Sequence, residues 1–529
     1  MTSPTTRSIS RRDLLRYGTG GAAAFALGLP VAASAGRRRT APSLPKRGGT
    51  LKFARSITPT QLDPSNSIIA GDVYTLDKIF EPLFITSPAG KLVPWLASGY
   101  TVSPDKKTFT FKLRPGVKFS DGKPLTAADV VFSIDRARKN KNGPLSFLDF
   151  AIAKLEARNS STVVAHLSTP WAPFLSDISA FSNGIMPARY GGKSEAAFLK
   201  NPVGTGPFML TASFTPGGNS LTLARNPNYW QKGKPYLDAV DFVFVDNDNQ
   251  RVLQLRGGQV QVIDSVPPAQ VSALKSNPNV SVGLYPAWEV DLLVFNEKLD
   301  KFADRNVRRA ISYAIDRPAL AHAATFGTAQ PGGSFFPPSL QYYAKGTPLL
   351  NHSVANAKAE LAKSKFPKGF TTELLIDGGV QKWRTFAQII QQELKPIGIN
   401  VKIWALDHAA YHDAFLKFDY EMFIDYAIND ISDADEMASF EVDFENGGSS
   451  SYWSSYNNPA AIKLVRAAAA EFNSAKRAAL YAQIQKIVSQ DAPFVPLDYP
   501  TYIYAASKKV HGFGVNPGGA YRLENVWLD

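Results

Sequence analysis

The chain is too long to fold around one hydrophobic core, and it must hold its parts together without disulfide bonds. It has 529 residues and no cysteine. Single cores stop growing at about 250–300 residues, so we expect at least two lobes. Because cysteine is absent, disulfides, thiolate metal sites and cysteine nucleophiles are excluded.

The N-terminal residues have the pattern of an export segment. The pair Arg11-Arg12 is followed by an apolar run at 18–31 and by small residues ending at Ala35. This order predicts a signal peptide at 1–35 for the twin-arginine route, cleaved after about Ala35, and a basic leader at 36–47. We expect a periplasmic protein without direct membrane insertion, because no later segment has the roughly 20 apolar residues of a membrane helix.

The net charge of +13 is concentrated at the N-terminus. Residues 1–47 hold nine Lys or Arg and one Asp, so they carry +8 of that charge. The remainder shows no basic stripe that could follow a nucleic-acid backbone. We therefore expect no nucleic-acid partner, and the residual charge is a matter of solubility.

Hydrophobic periodicity indicates an α/β protein. The segment 108–113 alternates polar and apolar residues, as a half-buried strand does, whereas 126–138 and 383–394 have helical spacing. Strands and helices alternate along the second half of the chain. We expect lobes built from non-contiguous pieces, with the chain crossing between them near 288–291 and again near 498–505.

The common catalytic patterns are missing. There is no G-x-S-x-G motif, and the P-loop-like segment before Lys193 has Pro187 in place of its first glycine. His408 and His412 are four residues apart, which on a helix places both imidazoles on one face and could hold a metal. No Glu lies between them, so the zinc-protease motif is absent. We expect no enzyme, cofactor or bound metal, and keep an exported metal-dependent hydrolase using these histidines as the alternative.

One long window is strongly acidic. From 418 to 462 there is no Lys or Arg, whereas ten Asp or Glu occur there, including Asp430 and Asp433. Carboxylates that line a closed cleft are poorly screened and favour a cationic group. The window is therefore either a solvated acidic face or a site that recognises an amine or a guanidinium.

Several motifs occur in an order that resembles one protein family. They are Gly48-Gly49-Thr50-Leu51, Lys118-Phe119-Ser120-Asp121-Gly122, Val203-Gly204-Thr205-Gly206-Pro207, Arg225-Asn226-Pro227-Asn228-Tyr229-Trp230 and Ala314-Ile315-Asp316-Arg317. The set resembles the bacterial extracellular solute-binding proteins of family 5, the peptide, opine and nickel type that supply ABC importers. The resemblance covers nearly all of the mature chain.

The resemblance implies a two-lobed periplasmic-binding-protein fold of type II, with a hinge between the lobes and an extra domain inserted in the first lobe. The implied boundaries are 48–92, 201–287 and 505–529 for lobe I, 93–200 for the inserted domain, and 288–504 for lobe II. By this analogy the ligand lies between lobes that close by hinge bending.

The resemblance also implies a ligand-binding residue. Peptide-binding members read the ligand's amino terminus with an aspartate in a run like Gly-Trp-x-x-Asp-x-x-Asp-Pro, which matches the run from Tyr426 here and places Asp430 at the amine position. We expect Asp433 and cleft aromatics, namely Tyr426, Trp288 and Trp404, to complete the site.

The ligand class stays open at this point. The arginine with which dipeptide binders hold the ligand's carboxylate is replaced by the run Asp377-Gly378-Gly379. A peptide-like solute, an opine-like compound or another amine therefore remains possible, and nickel is the least supported. The implied partners are a small ligand and ABC permease subunits, with the protein itself a monomer.

Overall fold

The computed structural model describes residues 44–444 and 453–529. The expected signal peptide and most of the basic leader lie outside these residues, as does Glu445 of the acidic window. Among the described helices, none has the length and apolar character needed to cross a bilayer.

The strands are numbered in chain order. They are β1 (Thr50–Arg55), β2 (Phe84–Thr86), β3 (Leu92–Pro94), β4 (Ala97–Val102), β5 (Thr108–Leu113), β6 (Ile152–Asn159), β7 (Thr162–Leu167), β8 (Phe208–Leu210), β9 (Ser220–Arg225), β10 (Ala239–Phe244), β11 (Val262–Ile263), β12 (Val280–Pro286), β13 (Glu289–Phe295), β14 (Gln330–Pro331), β15 (Phe370–Asp377), β16 (Ile399–Leu406), β17 (Met422–Ile428), β18 (Phe494–Tyr499), β19 (Thr501–Ser507), β20 (Val510–His511) and β21 (Trp527–Leu528).

The helices are numbered in the same way. They are α1 (Ala70–Ile79), α2 (Ala127–Lys139), α3 (Phe174–Asp177), α4 (Glu195–Lys200), α5 (Asp248–Arg256), α6 (Val271–Lys275), α7 (Asp300–Ala303), α8 (Arg305–Ala314), α9 (Arg317–Thr325), α10 (Val354–Leu361), α11 (Gln381–Leu394), α12 (His408–Leu416), α13 (Asp435–Val442), α14 (Pro459–Ala470) and α15 (Ser474–Asp491).

The first lobe is built on a seven-stranded mixed sheet in the order β12-β19-β11-β1-β10-β9-β8. Strand β1 lies between two parallel partners, β10 and β11, and the outer pairings are antiparallel. Leu51 and Phe53 of β1 are fully buried. They pack with residues of α1 and of the C-terminal segment, so three distant parts of the chain share this core.

The second lobe is built on a six-stranded sheet in the order β14-β18-β13-β17-β15-β16. Strand β13 pairs antiparallel with both β17 and β18, and its apolar run from Leu292 to Phe295 is buried. Helices α8, α11 and α15 contribute to the same core. The expected helix at 383–394 is confirmed, since α11 spans Gln381–Leu394.

A third sheet of four antiparallel strands, β4-β5-β7-β6, has its own core. Phe109, Phe111 and Leu113 of β5 are buried while their neighbours are not, which confirms the predicted half-buried strand. Helix α2 begins after Thr126, whose side chain and that of Asp129 form a reciprocal capping box. The sequence signal for the start of this helix was therefore correct.

The chain crosses between the first and second sheets at two places. Strand β12 of the first sheet ends at Pro286, and β13 of the second begins at Glu289, close to the expected crossing. Strand β19 pairs with β12 along its whole length, from Thr501 to Ser507. The chain therefore returns at Pro500, between β18 and β19, which lies within the expected range 498–505.

The residues around the third sheet contact the second lobe directly. The hydroxyls of Ser176 and Ser432 lie 2.6 Å apart, and the Ala172 N–H donates to the Ala469 carbonyl at 2.7 Å. Ile431 packs with Leu145 and other apolar residues of that region. The segment that follows β17 therefore contacts the third-sheet region through a polar side chain, Ser432, and an apolar one, Ile431.

Candidate functional site

The acidic window forms β17, the loop 429–434 and α13. Asn429 organises this loop, since it is fully buried and its backbone N–H donates to the Trp288 carbonyl at 2.8 Å. Its side chain accepts from the Met437 N–H at 3.0 Å and donates to the Asp433 carbonyl at 3.0 Å. The loop is therefore anchored both to the crossing between the sheets and to α13.

Asp430 lies in this loop with its carboxylate unpaired. It is half-buried, and no described residue donates a hydrogen bond to its side-chain oxygens or forms an ion pair with it. Burial raises the pKa of Asp430 to about 6. A partly desolvated carboxylate without a partner favours a cation in contact with it.

Asp430 faces aromatic residues of both lobes. Burial raises the pKa values of Tyr74, Tyr426 and Tyr502, and the charge of Asp430 adds to the rise at each of them. Tyr74 belongs to α1 and Tyr502 to β19, both in the first lobe, whereas Tyr426 belongs to β17 of the second. The charge of Asp430 therefore reaches residues of both lobes, and the backbone of its neighbour Asn429 is bonded to Trp288 at the crossing between the sheets.

Glu289 is a second unpaired carboxylate that faces the same three phenols, and the sequence analysis missed it. It opens β13, is half-buried, and adds to the raised pKa values of Tyr74, Tyr426 and Tyr502. Burial and the neighbouring Asp291 raise the pKa of Glu289 to about 7. The available signal was its place at the expected crossing near 288–291, where a charged residue would line the gap.

Asp291, deeper in the second sheet, has a cationic partner. Lys382 pairs with Asp291 and lies 3.9 Å from Asp498, while the Trp383 Nε1–H donates to Asp291 at 2.9 Å. The charge of Lys382 also reaches Glu289, which forms no ion pair with a described residue, whereas no described cation pairs with Asp430.

Tyr426 is the predicted aromatic residue that the structure places beside Asp430. Its side chain is 47% exposed, and its ring centroid lies 6.4 Å from that of Trp383. Burial of the phenol, followed by the charges of Asp425, Glu289 and Asp430, raises the pKa of Tyr426 to about 12. It offers both a stacking face and a hydroxyl to a ligand.

Trp288 and Trp404 occupy other places. Trp288 is 1% exposed, its Nε1–H donates to the Ser339 carbonyl at 2.9 Å, and a side chain at Gly90 would touch its ring at 3.1 Å. Trp404 lies on the edge strand β16, separated from β17 by β15, and packs against the second-lobe core. Both rings serve packing, so we leave them out of the site.

Asp433 also differs from the expectation. It is 6% exposed and forms a two-pronged ion pair with Arg477, with nitrogen–oxygen distances of 2.6 and 2.8 Å. One of its oxygens also accepts from the Asp435 N–H at 3.0 Å. Because its charge is already neutralised and hydrogen-bonded, Asp433 supports the loop instead of offering itself to a ligand.

The histidine pair lies on α12 as the spacing predicted. The His408 and His412 ring centroids are 4.4 Å apart, and His408 Nδ1 lies 2.7 Å from an Asp377 oxygen. Burial, followed by the neighbouring His408, lowers the pKa of His412. Within residues 44–444 and 453–529 no group of three His, Cys, Asp or Glu is arranged to hold a metal ion.

Comparisons with known proteins agree with this architecture. The family model of bacterial extracellular solute-binding proteins, family 5 Middle, matches residues 91–447. The probable D,D-dipeptide-binding periplasmic protein DdpA of Escherichia coli K12 is 32% identical over 427 residues, covering 80% of this chain and 82% of that protein.

Two solved structures add ligand-bound relatives. The periplasmic binding protein DppA of Helicobacter pylori, in complex with the peptide STSA, is 27% identical with a TM-score of 0.78 and covers 91% of this chain and 98% of its own. The binding protein AgaA of A. tumefaciens R10, in complex with agropinic acid, is 31% identical with a TM-score of 0.76 and covers 91% and 99%.

The family and its relatives bind solutes for transport, so the hydrolase alternative is not supported. The fold as a whole agrees with these solved structures over 91% of the chain. The chain belongs to the bacterial extracellular solute-binding proteins of family 5, the substrate-binding components of ABC importers.

Proposed function

We propose that this protein captures a peptide-like solute with a free amine between its two lobes and delivers it to the permease of an ABC importer. The observation that carries the proposal is the unpaired, half-buried carboxylate of Asp430 at the meeting of the lobes. A hydrogen bond between a carboxylate and an ammonium contributes about 1.5–3 kcal/mol net, which is enough to orient a small ligand.

The surroundings of Asp430 suit an ammonium group. Three phenols face it, which provide aromatic faces and hydroxyls, and Glu289 adds a second negative charge on the same side. An anionic group here would meet two uncompensated carboxylates. This charge pattern supports an amine end of the ligand at Asp430.

Capture would work by shifting the balance between open and closed forms. A ligand that contacts Asp430 on the second lobe and Tyr74 on the first binds the closed form more tightly, and that difference in affinity drives closure. The crossings around Ala287 and Pro500 are the proposed hinges. The closed form then presents surfaces of both lobes to the permease.

The finer assignments are also proposals. We keep 93–200 as a domain inserted in the first lobe, because its sheet has a separate core. Its last helix, α4, contributes Phe198 to the first-lobe core, which ties the insertion to that lobe. Export by the twin-arginine route with cleavage after about Ala35, a periplasmic location and a monomeric state are proposed from the sequence.

The test is ligand binding by an Asp430→Asn variant. Native mass spectrometry of the purified protein identifies any retained solute, and calorimetry with that solute, or with a set of short peptides, measures affinity. We expect Asp430→Asn to weaken binding about tenfold or more, because an amide cannot neutralise an ammonium. Its unfolding temperature should stay within about 2 °C, since no described residue pairs with this carboxylate.

Asp419→Asn is the matched control. Asp419 lies in the same acidic window but is exposed and away from the lobe interface. The Asp419→Asn variant should therefore bind the ligand with the affinity of the wild type. Equal affinities for all three proteins would remove Asp430 from the site.

A further inference from the structure

A cavity of about 430 Å³ lies next to the Asp430 loop, between the third-sheet region and α13. Aromatic rings form its walls. The Phe147 and Phe440 centroids lie 4.9 Å apart, and those of Phe150 and Trp171 lie 4.7 Å apart, each pair edge to face. We call this cavity the side pocket. Phe147 and Phe150 are 38% and 51% exposed, so they stand at its mouth.

Two buried carboxylates of the side pocket each keep one oxygen free. Asp177 is 2% exposed, and one of its oxygens accepts from the Trp171 Nε1–H at 2.6 Å. Glu436 is 6% exposed, and its Oε2 accepts from the N–H groups of Asp430 and Ile431 at 2.7 and 3.2 Å. No described residue donates to the second oxygen of either side chain.

The charges around these two groups are negative. Asp177 faces Asp149, Asp433 and Asp435, and Glu436 faces Asp430 and Asp435. Burial, with these neighbours adding to it, raises the pKa values of Asp177 and Glu436 well above the ordinary range.

The cations nearest to this acidic group are already engaged. Arg477 is held by Asp433, and Arg138, whose charge reaches Asp149, is paired with Asp135. The described part of the chain thus provides aromatic walls and buried carboxyl groups here, without a cation to stabilise their ionised form.

We propose that the side pocket binds the cationic side chain of the ligand's first residue, so that the preferred ligands are short peptides beginning with lysine or arginine. This inference rests on the proposed function, in which the amino terminus of the same residue contacts Asp430. Ammonium and guanidinium groups bind over aromatic faces and pair with carboxylates. An apolar side chain offers no cation against which these two buried carboxyl groups could ionise.

The amine site and the side pocket share a loop. Glu436 Oε2 lies 2.7 Å from the backbone nitrogen of Asp430, so a residue of the pocket lining contacts the residue proposed to hold the amine. In lysine, one Cα and four methylene groups separate the two amines, and the inference requires this spacing between the two sites.

Calorimetry with matched peptides tests the inference. Di-, tri- and tetrapeptides beginning with lysine are compared with the same peptides beginning with norleucine, which keeps the aliphatic chain and lacks the charge. We expect the best lysine peptide to bind wild-type protein at least tenfold more tightly than its norleucine counterpart. Asp177→Asn should reduce that ratio to about threefold or less, because it removes one of the two charges.

Two further variants keep the test decisive. Phe150→Leu removes an exposed ring of the pocket mouth and should also lower the ratio, even if Asp177→Asn folds poorly. Glu373→Gln removes an exposed carboxylate of β15, away from the pocket, and should leave the ratio at its wild-type value.

The failures are distinguishable. Norleucine peptides that bind wild type as tightly as lysine peptides, or a ratio unchanged by Asp177→Asn and Phe150→Leu, would overturn the side-pocket inference and leave the Asp430 proposal standing. If no peptide of either series binds, the peptide-binding function is itself overturned, and the inference falls with it.

Discussion

At Asp430 and Glu289, the absence of an ion-pair partner among the described residues leaves the carboxylate available to a cation. Both carboxylates are half-buried and lack a cationic partner in the described structure, whereas Asp291 and Asp433, a few residues away, are neutralised by Lys382 and Arg477. The same residue type thus has a structural role in one place and is free for a ligand in another. The difference lies in the partners, which come from distant parts of the chain.

The raised pKa of Asp430 predicts that affinity for an amine-bearing ligand depends on pH. With a pKa of about 6, Asp430 is largely protonated at pH 5 and ionised at pH 7, and only the ionised form attracts an ammonium group. Affinity for a peptide with a free amine should therefore rise about tenfold between pH 5 and pH 7 and then level off. Calorimetry at several pH values measures this.

Asp430→Asn is the control, because the affinity of this variant should lose most of the pH dependence.

The raised pKa values change folding stability in the opposite direction from affinity. A carboxyl whose pKa is raised in the folded state favours folding at low pH, and this contribution is lost as pH rises through about 6 to 7. A wild-type affinity that is flat from pH 5 to pH 7 would contradict the assignment.

At the scale of elements, the loop 429–434 depends on a helix far along the chain. Asp433 connects it to Arg477 of α15, and Arg477 also donates to the Ala468 carbonyl at the end of α14. The ion pair therefore holds the loop 429–434 against two helices of the second lobe. Its role is to position the loop.

Asp433→Ala should consequently destabilise the fold, because it leaves the Arg477 guanidinium buried without its partner. Breaking a buried pair in this way costs about 3–5 kcal/mol, which chemical denaturation can measure. The double variant Asp433→Ala, Arg477→Met removes both charges and should recover a large part of the loss. A free energy of unfolding within about 1 kcal/mol of wild type for the single variant would show that the pair is not structural.

Local signals allowed several elements to be predicted. The start of α2 follows from Thr126 and Asp129, which form their capping box within one turn. The alternation in β5 predicts which of its residues are buried. At Gly204, in the motif Val203-Gly204-Thr205-Gly206-Pro207, a side chain would come within 1.9 Å of the Ile79 carbonyl, at the end of α1.

The site was harder to predict because its contacts join distant residues. Asp433 and Arg477 are 44 positions apart, and the burial of Trp288 depends on Gly90 and the Ser339 carbonyl. Glu289 pairs across the second sheet with Ile428, two residues before Asp430, a pairing that the sequence does not reveal. Asp430 and Tyr426 were proposed from a motif, whereas Glu289, Tyr74 and Tyr502 could not be predicted from composition or periodicity.

At the scale of the whole molecule, the Asp430 loop is where three parts of the structure meet. The second lobe carries it, the first lobe faces it with Tyr74 and Tyr502, and the third-sheet region contacts it through the Ser176–Ser432 hydroxyl pair. Under the proposed function, a ligand bound here would be enclosed by surfaces of both lobes, and recognition of its amine would be coupled to closure.

The central claim is that the amino terminus of the ligand pairs with Asp430 between the lobes. The most direct test compares, by calorimetry, a bound peptide and its N-acetylated form on wild type and on Asp430→Asn. We expect acetylation to weaken binding to wild type by about 1.5–3 kcal/mol, roughly 10- to 150-fold, and binding to Asp430→Asn by less than about threefold. Equal losses on both proteins would place the amine elsewhere and contradict the account.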